Sequence, residues 1–183
     1  MLFGRATVPV PVFHLRSLQL DDANPLFQVI HANRVYMRQW LPWVDNTQSV
    51  LDSRSFIEDV HHKYVKGESV VKAIWYDGQM AGCIGINEIN RTHQKASLGY
   101  WLSKSFQGRG IMTQAARQMT TLAFEELKLN RVEILSAAKN YRSRAVAQRL
   151  KYTQEGLLQD FFRLHGHYYD VIIYSMLKRD WRG

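Results

Sequence analysis

Apolar residues follow two patterns along this chain, and each pattern predicts one kind of element. Short apolar runs bounded by turn residues predict strands near residues 13–18 and over 69–76, 80–89, 95–103, 131–138, 152–162 and 168–177. Asp77–Gly78, between the second and third runs, is a strong hairpin signal. His165–Gly166–His167 separates the last two runs and predicts a closing hairpin.

Apolar residues at intervals of three and four predict helices between the strands. The first helix begins near Asp21–Asp22, where acidic side chains complement the helix dipole. The second is closed by Gly67, the third begins within 111–113, and a short fourth helix covers 143–150. The apolar positions that define the last three helices are Phe56, Val60 and Tyr64, then Ala116, Met119, Leu122, Ala123 and Leu127, and finally Val146 and Leu150, which we expect to face inward.

The order of these elements predicts an α+β (mixed α/β) fold. A strand and two helices precede three meandering strands, and a helix, a strand, a short helix and two strands follow. The helix after the third meandering strand is a crossover, which permits one parallel pair in an otherwise antiparallel sheet. The chain contains neither an internal repeat nor a recognisable linker, so residues 1–183 are interpreted as a single domain.

The composition is that of a folded soluble protein, with 46% hydrophobic and 22% charged residues. Cys83 is the one cysteine, which excludes an intramolecular disulfide and fits a reducing compartment. Pro9 and Pro11 interrupt residues 1–13, and no long apolar run follows, so we expect neither a signal peptide nor a membrane span. The expected location is therefore the cytoplasm, without a membrane partner.

A net charge of +8 favours contact with polyanions, including a phosphorylated cofactor. The basic residues are scattered, and their longest cluster consists of Arg142, Arg144, Arg149 and Lys151. Net charge alone therefore does not predict nucleic-acid binding. His165 and His167 have no cysteine or carboxylate cluster beside them, so no metal site is expected.

The stretch YWLSKSFQGRGIMTQ leads from a strand through a glycine-punctuated loop straight into a helix. The first N–H groups of a helix attract anions, and Gly108 and Gly110 leave room for a phosphate to approach them. The P-loop pattern G-x-x-x-x-G-K-[ST] is absent, and neither the spacing nor the position in the chain fits the dinucleotide-binding pattern G-x-G-x-x-G. An ordinary strand-to-helix turn is the alternative for two glycines taken alone.

The run Gln107–Gly108–Arg109–Gly110–Ile111 resembles motif A of the GNAT acyltransferases, a Q/R-x-x-G-x-G/A loop that binds the pyrophosphate of acetyl-CoA. Met112 departs from the Gly or Ala of that motif, but GIMT is similar to the RimJ/RimL-like branch, which acetylates protein N-termini. Further segments similar to that branch extend over about 13–181. The resemblance implies acetyl-CoA as the cosubstrate and one central, mostly antiparallel sheet whose middle strands splay apart.

The resemblance also assigns cofactor contacts to three stretches of the chain. Pantetheine lies between the splayed strands and bonds to the main chain of one of them, the loop and the next helix turn hold the pyrophosphate, and an N-x-x-S sequence reaches the thioester. The implied residues are Tyr100, Trp101 and Leu102, then Gln107, Gly108, Arg109, Gly110, Ile111, Met112 and Thr113, and finally Asn140 and Ser143.

Acetyl transfer requires a proton to reach the departing thiolate. By resemblance, Ser143 donates a hydrogen bond to the sulfur of CoA. Ala147 stands four residues later, where many members of the family have a tyrosine, so Ser143 is the better candidate. Helix capping is the structural alternative for Asn140 and Ser143, since both residue types favour the start of a helix.

The base that takes the proton from the amine is less well defined. Phe162 stands where related N-terminal acetyltransferases often carry Glu. Asp160 would lie on the same side of a regular strand, and Glu88 is a second candidate; solvated strand carboxylates are the alternative for both. A missing base favours an acceptor of low pKa, because an α-amine has a pKa of about 7.7–8.0 and lysine one of about 10.4.

The favoured acceptor is therefore a protein N-terminus, as in ribosomal-protein acetylation. Two alternative functions stay open: a small-molecule amine or polyamine acetyltransferase, and a module that binds CoA or nucleic acid without turnover.

The segment NRVYMRQWLPWVD is expected to form the wall of the site on the acceptor side, although its tryptophans would serve equally well in a core. The candidate acceptor contacts are Arg38, Trp43, Asp45 and Asn87. An exposed strand or aromatic face would support a homodimer.

Overall fold

The computed structural model describes residues 13–183, whose strands form one seven-stranded sheet. The strands are β1 Phe13–Ser17, β2 Val70–Tyr76, β3 Gln79–Asn90, β4 Lys95–Leu102, β5 Arg131–Ala137, β6 Thr153–Leu164 and β7 His167–Leu177. The helices are α1 Ala23–Met37, α2 Val50–Val65, α3 Ile111–Glu125 and α4 Tyr141–Arg149. The predicted mixed α/β fold is confirmed. The prediction made for residues 1–12 lies outside the described residues.

The order across the sheet is β1-β2-β3-β4-β5-β7-β6, and β4 and β5 are the parallel neighbours. They run parallel because α3 crosses over between them. Their pairing is short, since 95–97 of β4 pairs with 131–133 of β5 and no later residue of these two strands pairs with the other. Beyond Ser97 and Glu133 the strands diverge, which confirms the predicted splay.

Each face of the sheet carries a hydrophobic core. Helices α3 and α4 cover one face, and α1 and α2 cover the other. Successive side chains of a strand point to opposite faces. Tyr100 of β4 accordingly packs against the α3/α4 core, whereas Trp101 packs against the α1/α2 core. The strand that borders the splay therefore contributes side chains to both faces.

The helices occur where the apolar spacing predicts them, but the spacing does not always identify the buried face. In α4, Val146 and Leu150, just after the helix end, are buried as predicted. In α2 the buried residue of the predicted set is Val60, whereas Phe56 and Tyr64 are 42% and 61% exposed. Within residues 13–183, every helix is too short or too polar to cross a membrane.

Irregularities interrupt several strands that the sequence predicts as continuous, and two of them contain the candidate bases. In β3 the register shifts between Asn87 and Asn90, and Glu88 has a φ of 53°. In β6 it shifts between Leu158 and Phe162, and Asp160 has a φ of 47°. A bulge inserts residues and redirects the side chains beside it. The prediction that Asp160 lies on a regular strand is therefore wrong.

Candidate active site

A cavity of about 990 Å³ lies beside the part of β4 that borders the splay. Its wall consists of the C-terminal end of α1, the end of β4, the loop that follows, and the first turns of α3 and α4. Because α1 and α4 cover opposite faces, the cavity has walls on both sides of the sheet. Its lining includes these predicted cofactor contacts: Tyr100, Trp101, Leu102, Gln107, Gly108, Gly110, Ile111, Met112, Thr113, Asn140 and Ser143.

The glycine loop presents backbone amides to this cavity. Gly108 and Gly110 have φ values of 76° and 75°, in the left-handed region that other residues rarely adopt. A Cβ atom at either position would meet nothing within 4 Å, so the space in front of the backbone is open. Gly110 is the N-cap of α3, and the N–H groups of 111–113 therefore have no helical acceptor. Free amides at a helix N-terminus with open space before them are suited to an anion such as a phosphate.

Polar side chains fix the loop between α1 and α4. The Gln107 Nε2 group donates to the Tyr36 hydroxyl at 2.6 Å, and Arg142 Nη1 donates to Gln107 Oε1 at 2.8 Å. Arg142 thereby places a positive charge beside the loop amides, where it would neutralise a phosphate. In the sequence, Arg142 stands out only as a member of a basic cluster. Its position inside the N-x-x-S turn was the signal that would have identified it.

Arg109 is the one predicted cofactor contact that does not line the cavity. Its guanidinium lies over the rings of Tyr76 and Phe106, 5.7 and 5.8 Å from their centroids. Cation–π contacts of this kind stabilise a side chain against an aromatic surface. Arg109 therefore anchors the loop on the sheet, and its contribution to the anion site comes from the backbone between the two glycines.

The facing edges of β4 and β5 beyond Ser97 and Glu133 have no strand between them. Ser136 of β5 is buried, and its Oγ has no hydrogen-bond partner among the described residues. If the parallel register continued, Ser136 would lie opposite Tyr100. An unsatisfied buried hydroxyl costs about 1–3 kcal/mol. Open strand edges and an unpaired hydroxyl fit an extended, amide-containing ligand such as the pantetheine arm of the cofactor.

The start of α4 places a second polar cluster against the cavity. Asn140 is the N-cap, and its Oδ1 accepts from the Ser143 N–H at 3.2 Å. The Tyr100 hydroxyl donates to the Ser143 carbonyl at 3.0 Å, and Ser143 Oγ donates to the Tyr100 hydroxyl at 3.3 Å. Burial raises the pKa of Tyr100 to about 12, so its phenol is neutral. The capping role of Asn140 is thus present together with a position on the cavity wall.

Aromatic side chains cover the sheet on the α1 side of the splay. Trp43 lies against Trp101, with ring centroids 6.0 Å apart. Phe162 stacks on Tyr169 at 5.3 Å, and Trp40 meets the edge of Tyr169 at 6.3 Å. These residues come from four separate stretches of the chain. Phe162, the residue at the expected Glu position, is therefore part of an aromatic wall.

The predicted polar acceptor contacts occupy two places: Arg38 and Asp45 are close to Trp40 and Trp43 in the chain, and Asn87 lies on β3. Arg38 and Asp45 form an exposed ion pair at 2.8 Å, and the hydrogen bond from Arg38 lowers the pKa of Asp45. His165 Nε2 lies 2.9 Å from the Arg38 carbonyl oxygen and so joins the β6–β7 hairpin to the end of α1. Asn87 lies close to Gly99, since a Cβ on Gly99 would be 3.0 Å from Asn87 Nδ2.

None of the four predicted acceptor contacts, Arg38, Trp43, Asp45 and Asn87, is among the described residues that line the cavity. Trp43 nevertheless touches Trp101, which does line it. Arg34 belongs to the same segment of the chain, and its guanidinium donates to the carbonyl oxygens of Val44 and Thr47. Arg34 therefore holds the turn after α1 in place.

Neither candidate base lines the cavity. Glu88 is exposed in the β3 bulge, where its Oε2 accepts from Ser97 Oγ at 3.4 Å, at the closed end of the splay. Asp160 is exposed in the β6 bulge, and its N–H donates to Asp170 at 3.0 Å. Among the described residues that line the cavity, none is Asp or Glu, whereas Lys104, Arg117, Arg142 and Arg149 are present.

Within residues 13–183, no three His, Cys, Asp or Glu side chains are grouped so that they could hold a metal ion. The site offers instead backbone amides, hydroxyls and cationic side chains. Such groups bind an anionic ligand, exclude water from its buried part and donate hydrogen bonds to developing negative charge.

Comparison with known proteins connects this geometry to an enzyme family. Residues 13–153 match the family described as an acetyltransferase (GNAT) domain. The chain is 37% identical over 170 residues to YdaF of Bacillus subtilis, provisionally named a ribosomal N-acetyltransferase, with coverage of 92% of this chain and 93% of YdaF. It is 29% identical over 163 residues to the ribosomal-protein-serine acetyltransferase of Escherichia coli, covering 89% and 91% of the two chains.

A solved structure shows the same architecture with the nucleotide in place. The structure of RimL, a ribosomal L7/L12 α-N-protein acetyltransferase in complex with coenzyme A, superposes with a TM-score of 0.87. The two chains are 29% identical, and the match covers 90% of this chain and 93% of that one.

Proposed function

This chain belongs to the GNAT acetyltransferase family, and from that premise we propose that it transfers the acetyl group of acetyl-CoA to the α-amine of a protein N-terminus. Acetyl-CoA-dependent N-acetyl transfer follows from the family, and the acceptor is what we propose. The observation that carries the choice of acceptor is the absence of Asp and Glu from the described residues that line the cavity.

The residues around the splay fit acetyl-CoA, which supplies an activated thioester when bound. We assign the pyrophosphate to the amides of 110–113 and to Arg142, which flank the cavity together. The unpaired edge of β4 offers main-chain groups to the pantetheine arm, and Ser136 offers a hydroxyl from β5. Ser143 is assigned the hydrogen bond to the sulfur. Fixing both reactants in this way lowers the barrier by up to about 7–11 kcal/mol.

The charge of the cavity favours an acceptor that arrives neutral. Its ionisable lining residues are cationic or phenolic, so a polyamine or a protonated lysine would meet repulsion and no carboxylate. An α-amine, with a pKa of about 7.7–8.0, is partly neutral at pH 7, whereas lysine, at about 10.4, is almost entirely charged. Direct attack by a neutral α-amine therefore requires no base in the cavity.

We expect the pH dependence of kcat/KM to be set by the pKa of the acceptor amine and not by an ionisable group of the protein. With an N-terminal peptide, kcat/KM should rise about tenfold per pH unit and level off near pH 8, whereas a lysine acceptor should keep gaining up to about pH 10.4. The matched control is the same peptide with a blocked N-terminus and one internal lysine. A profile that levels off near pH 6 for both peptides would instead reveal a base within the protein.

Substitution of the two candidate bases provides an independent check. Glu88→Gln and Asp160→Asn should each leave kcat/KM near that of the parent protein, because neither carboxylate lines the cavity. A true general base contributes about 10²–10⁴-fold. A loss of that size in Glu88→Gln, with recovery at high pH, would place the base at the closed end of the splay.

The acceptor is tested with a panel in which thiol release from acetyl-CoA is followed. The panel contains N-terminal peptides of ribosomal proteins, internal lysine peptides and spermidine. Release confined to the N-terminal peptides supports the proposal, and a ribosomal protein among them would place the reaction in the cytoplasm. Turnover of spermidine alone would overturn the acceptor, and CoA binding without any turnover would favour a non-catalytic module.

A further inference from the structure

The hydroxyl group of Tyr100 takes no part in the cofactor contacts proposed above, which assign to β4 only its main-chain groups. Tyr100 lies on β4, three residues past Ser97, the last residue of β4 that pairs with β5. Its side chain lines the cavity from the sheet, and Ser143 lines it from α4. The two hydroxyl oxygens are 3.3 Å apart. A side chain of the splayed strand is thus in direct contact with the expected donor to sulfur.

Tyr100 and Asn140 together hold Ser143 by its main chain. Asn140 accepts from the Ser143 N–H at 3.2 Å, and the Tyr100 hydroxyl donates to the Ser143 carbonyl at 3.0 Å. Among residues 13–183, the hydroxyl of Ser143 has one partner, the Tyr100 oxygen, to which it donates its proton at 3.3 Å. Ala147, one turn further along α4, is fully buried and carries no polar group. Tyr100 is therefore the residue that determines where the Ser143 hydroxyl lies.

We propose that Tyr100 is a positioning residue for the acetyl transfer described above: its hydroxyl holds the Ser143 carbonyl, and the Ser143 hydroxyl proton turns from the Tyr100 oxygen to the sulfur when CoA binds. As the amine nitrogen forms the new C–N bond, the C–S bond breaks and its electron pair stays on sulfur. Ser143 Oγ–H, released from the Tyr100 oxygen, donates a hydrogen bond to that growing charge while the Tyr100 hydroxyl continues to donate to the Ser143 carbonyl. The proton finally taken by sulfur is the one lost by the amine, so both hydroxyls keep their own protons.

Burial of Tyr100 supports this role, which requires a hydroxyl that stays protonated. Burial is the main cause that raises its pKa to about 12, and the hydrogen bond with Ser143 opposes part of that rise. The phenol is therefore a donor throughout any practical assay range. Its hydrogen bond to the Ser143 carbonyl is therefore retained over the range in which an α-amine becomes neutral.

The test combines Tyr100→Phe, Ser143→Ala and the double variant. Tyr100→Phe should lower kcat about tenfold, the value of one hydrogen bond, with the calorimetric affinity for CoA unchanged. Residues that act as a unit are not additive. Once Ser143 is Ala, the additional Tyr100→Phe change should have no further effect on kcat.

Tyr152→Phe is the matched control. Tyr152 is also a buried tyrosine, and its hydroxyl pairs with Thr120 Oγ1 at 2.7 Å and not with Ser143. Its loss should lower the melting temperature about as much as Tyr100→Phe does and leave kcat unchanged. If Tyr152→Phe slows turnover equally, or if Tyr100→Phe still slows the Ser143→Ala background, Tyr100 has a general structural role and the proposal is wrong.

A second readout requires no acceptor and is therefore independent of the proposed substrate. A hydrogen bond to a thiolate favours the charged form and lowers the pKa of the thiol of bound CoA. Thiolate absorbance of the CoA complex measures that pKa. Tyr100→Phe and Ser143→Ala should both raise it, whereas Tyr152→Phe should not. An unchanged thiol pKa in Tyr100→Phe would overturn the inference even if the acceptor is correct, and a raised one would support it even if the acceptor is wrong.

Discussion

Replacement of Gly110 by Glu is expected to abolish acetyl-CoA binding. Gly110 has a φ of 75°, caps α3 and borders the open space in front of the loop amides. A side chain other than glycine disfavours this left-handed conformation by about 1–2 kcal/mol, so the backbone tends to rotate and the amides turn away. A carboxylate placed there also repels phosphate directly.

The size of the effect follows from the hydrogen bonds that are lost. Each bond from an amide to a charged group contributes about 1.5–3 kcal/mol, so losing two of them weakens binding by roughly 10²–10⁴-fold. Isothermal calorimetry with acetyl-CoA measures the change, and Gly110→Ala separates strain from charge. Parent-like affinity in Gly110→Glu would show that the pyrophosphate binds elsewhere.

Gly67→Glu is the control for that experiment. Gly67 has a φ of 72°, and its Cβ position also meets nothing within 4 Å. The substitution therefore introduces the same backbone strain and the same charge just after α2, outside the cavity lining. We expect its melting temperature to fall about as much as that of Gly110→Glu, with no loss of acetyl-CoA affinity.

Gly82→Ala should have the largest effect on stability of any single added methyl group in the sheet. A Cβ on Gly82 would lie 2.2 Å from the carbonyl oxygen of Trp101 and 3.0 Å from the Cα of Leu102. Both are backbone atoms of the neighbouring strand, so no side-chain rotation relieves the clash. Overpacking a well-packed interior typically costs 1–3 kcal/mol, and we expect a cost of about 3 kcal/mol here.

That loss corresponds to a fall in melting temperature of roughly 6–12 °C for a chain of this size. Because the clash displaces Trp101 and Leu102, which line the cavity, KM for acetyl-CoA should rise as well. Gly156→Ala is the control in another strand, since its Cβ would make an ordinary contact of 3.9 Å with Ile173. Equal melting temperatures for the two variants would contradict the close approach of β3 and β4.

The anion site was predictable from sequence because its parts are contiguous. Loop, N-cap and first helical turn follow one another within Gln107 to Thr113, and glycine at two positions with positive φ is a local requirement. The hairpins and the helix crossover are likewise encoded by neighbouring residues. Asp77–Gly78 predicts the β2–β3 turn, and both residues have positive φ there.

The aromatic wall on the α1 side was not predictable to the same extent, because distant segments of the chain form it. The contact between Trp43 and Trp101 and the stack of Phe162 on Tyr169 depend on how α1 and the β6–β7 hairpin pack on the sheet. Bulges have no reliable sequence signal when the extra residue is not glycine, and Asp160 was misplaced for that reason. The pairing of Tyr100 with Ser143 across 43 positions is of the same kind.

Strands β4 and β5 pair over three residues only, so the sheet consists of two parts, β1–β2–β3–β4 and β5–β7–β6. Beyond the three paired residues the two parts are separated by a gap, here called the seam. A cosubstrate bound in the seam, as proposed above, would pair with the open strand edges there and extend the sheet. Ligand that binds only the folded state stabilises it in proportion to the logarithm of its concentration. We therefore expect the free energy of unfolding of this protein, and its resistance to proteolysis, to rise with the concentration of acetyl-CoA.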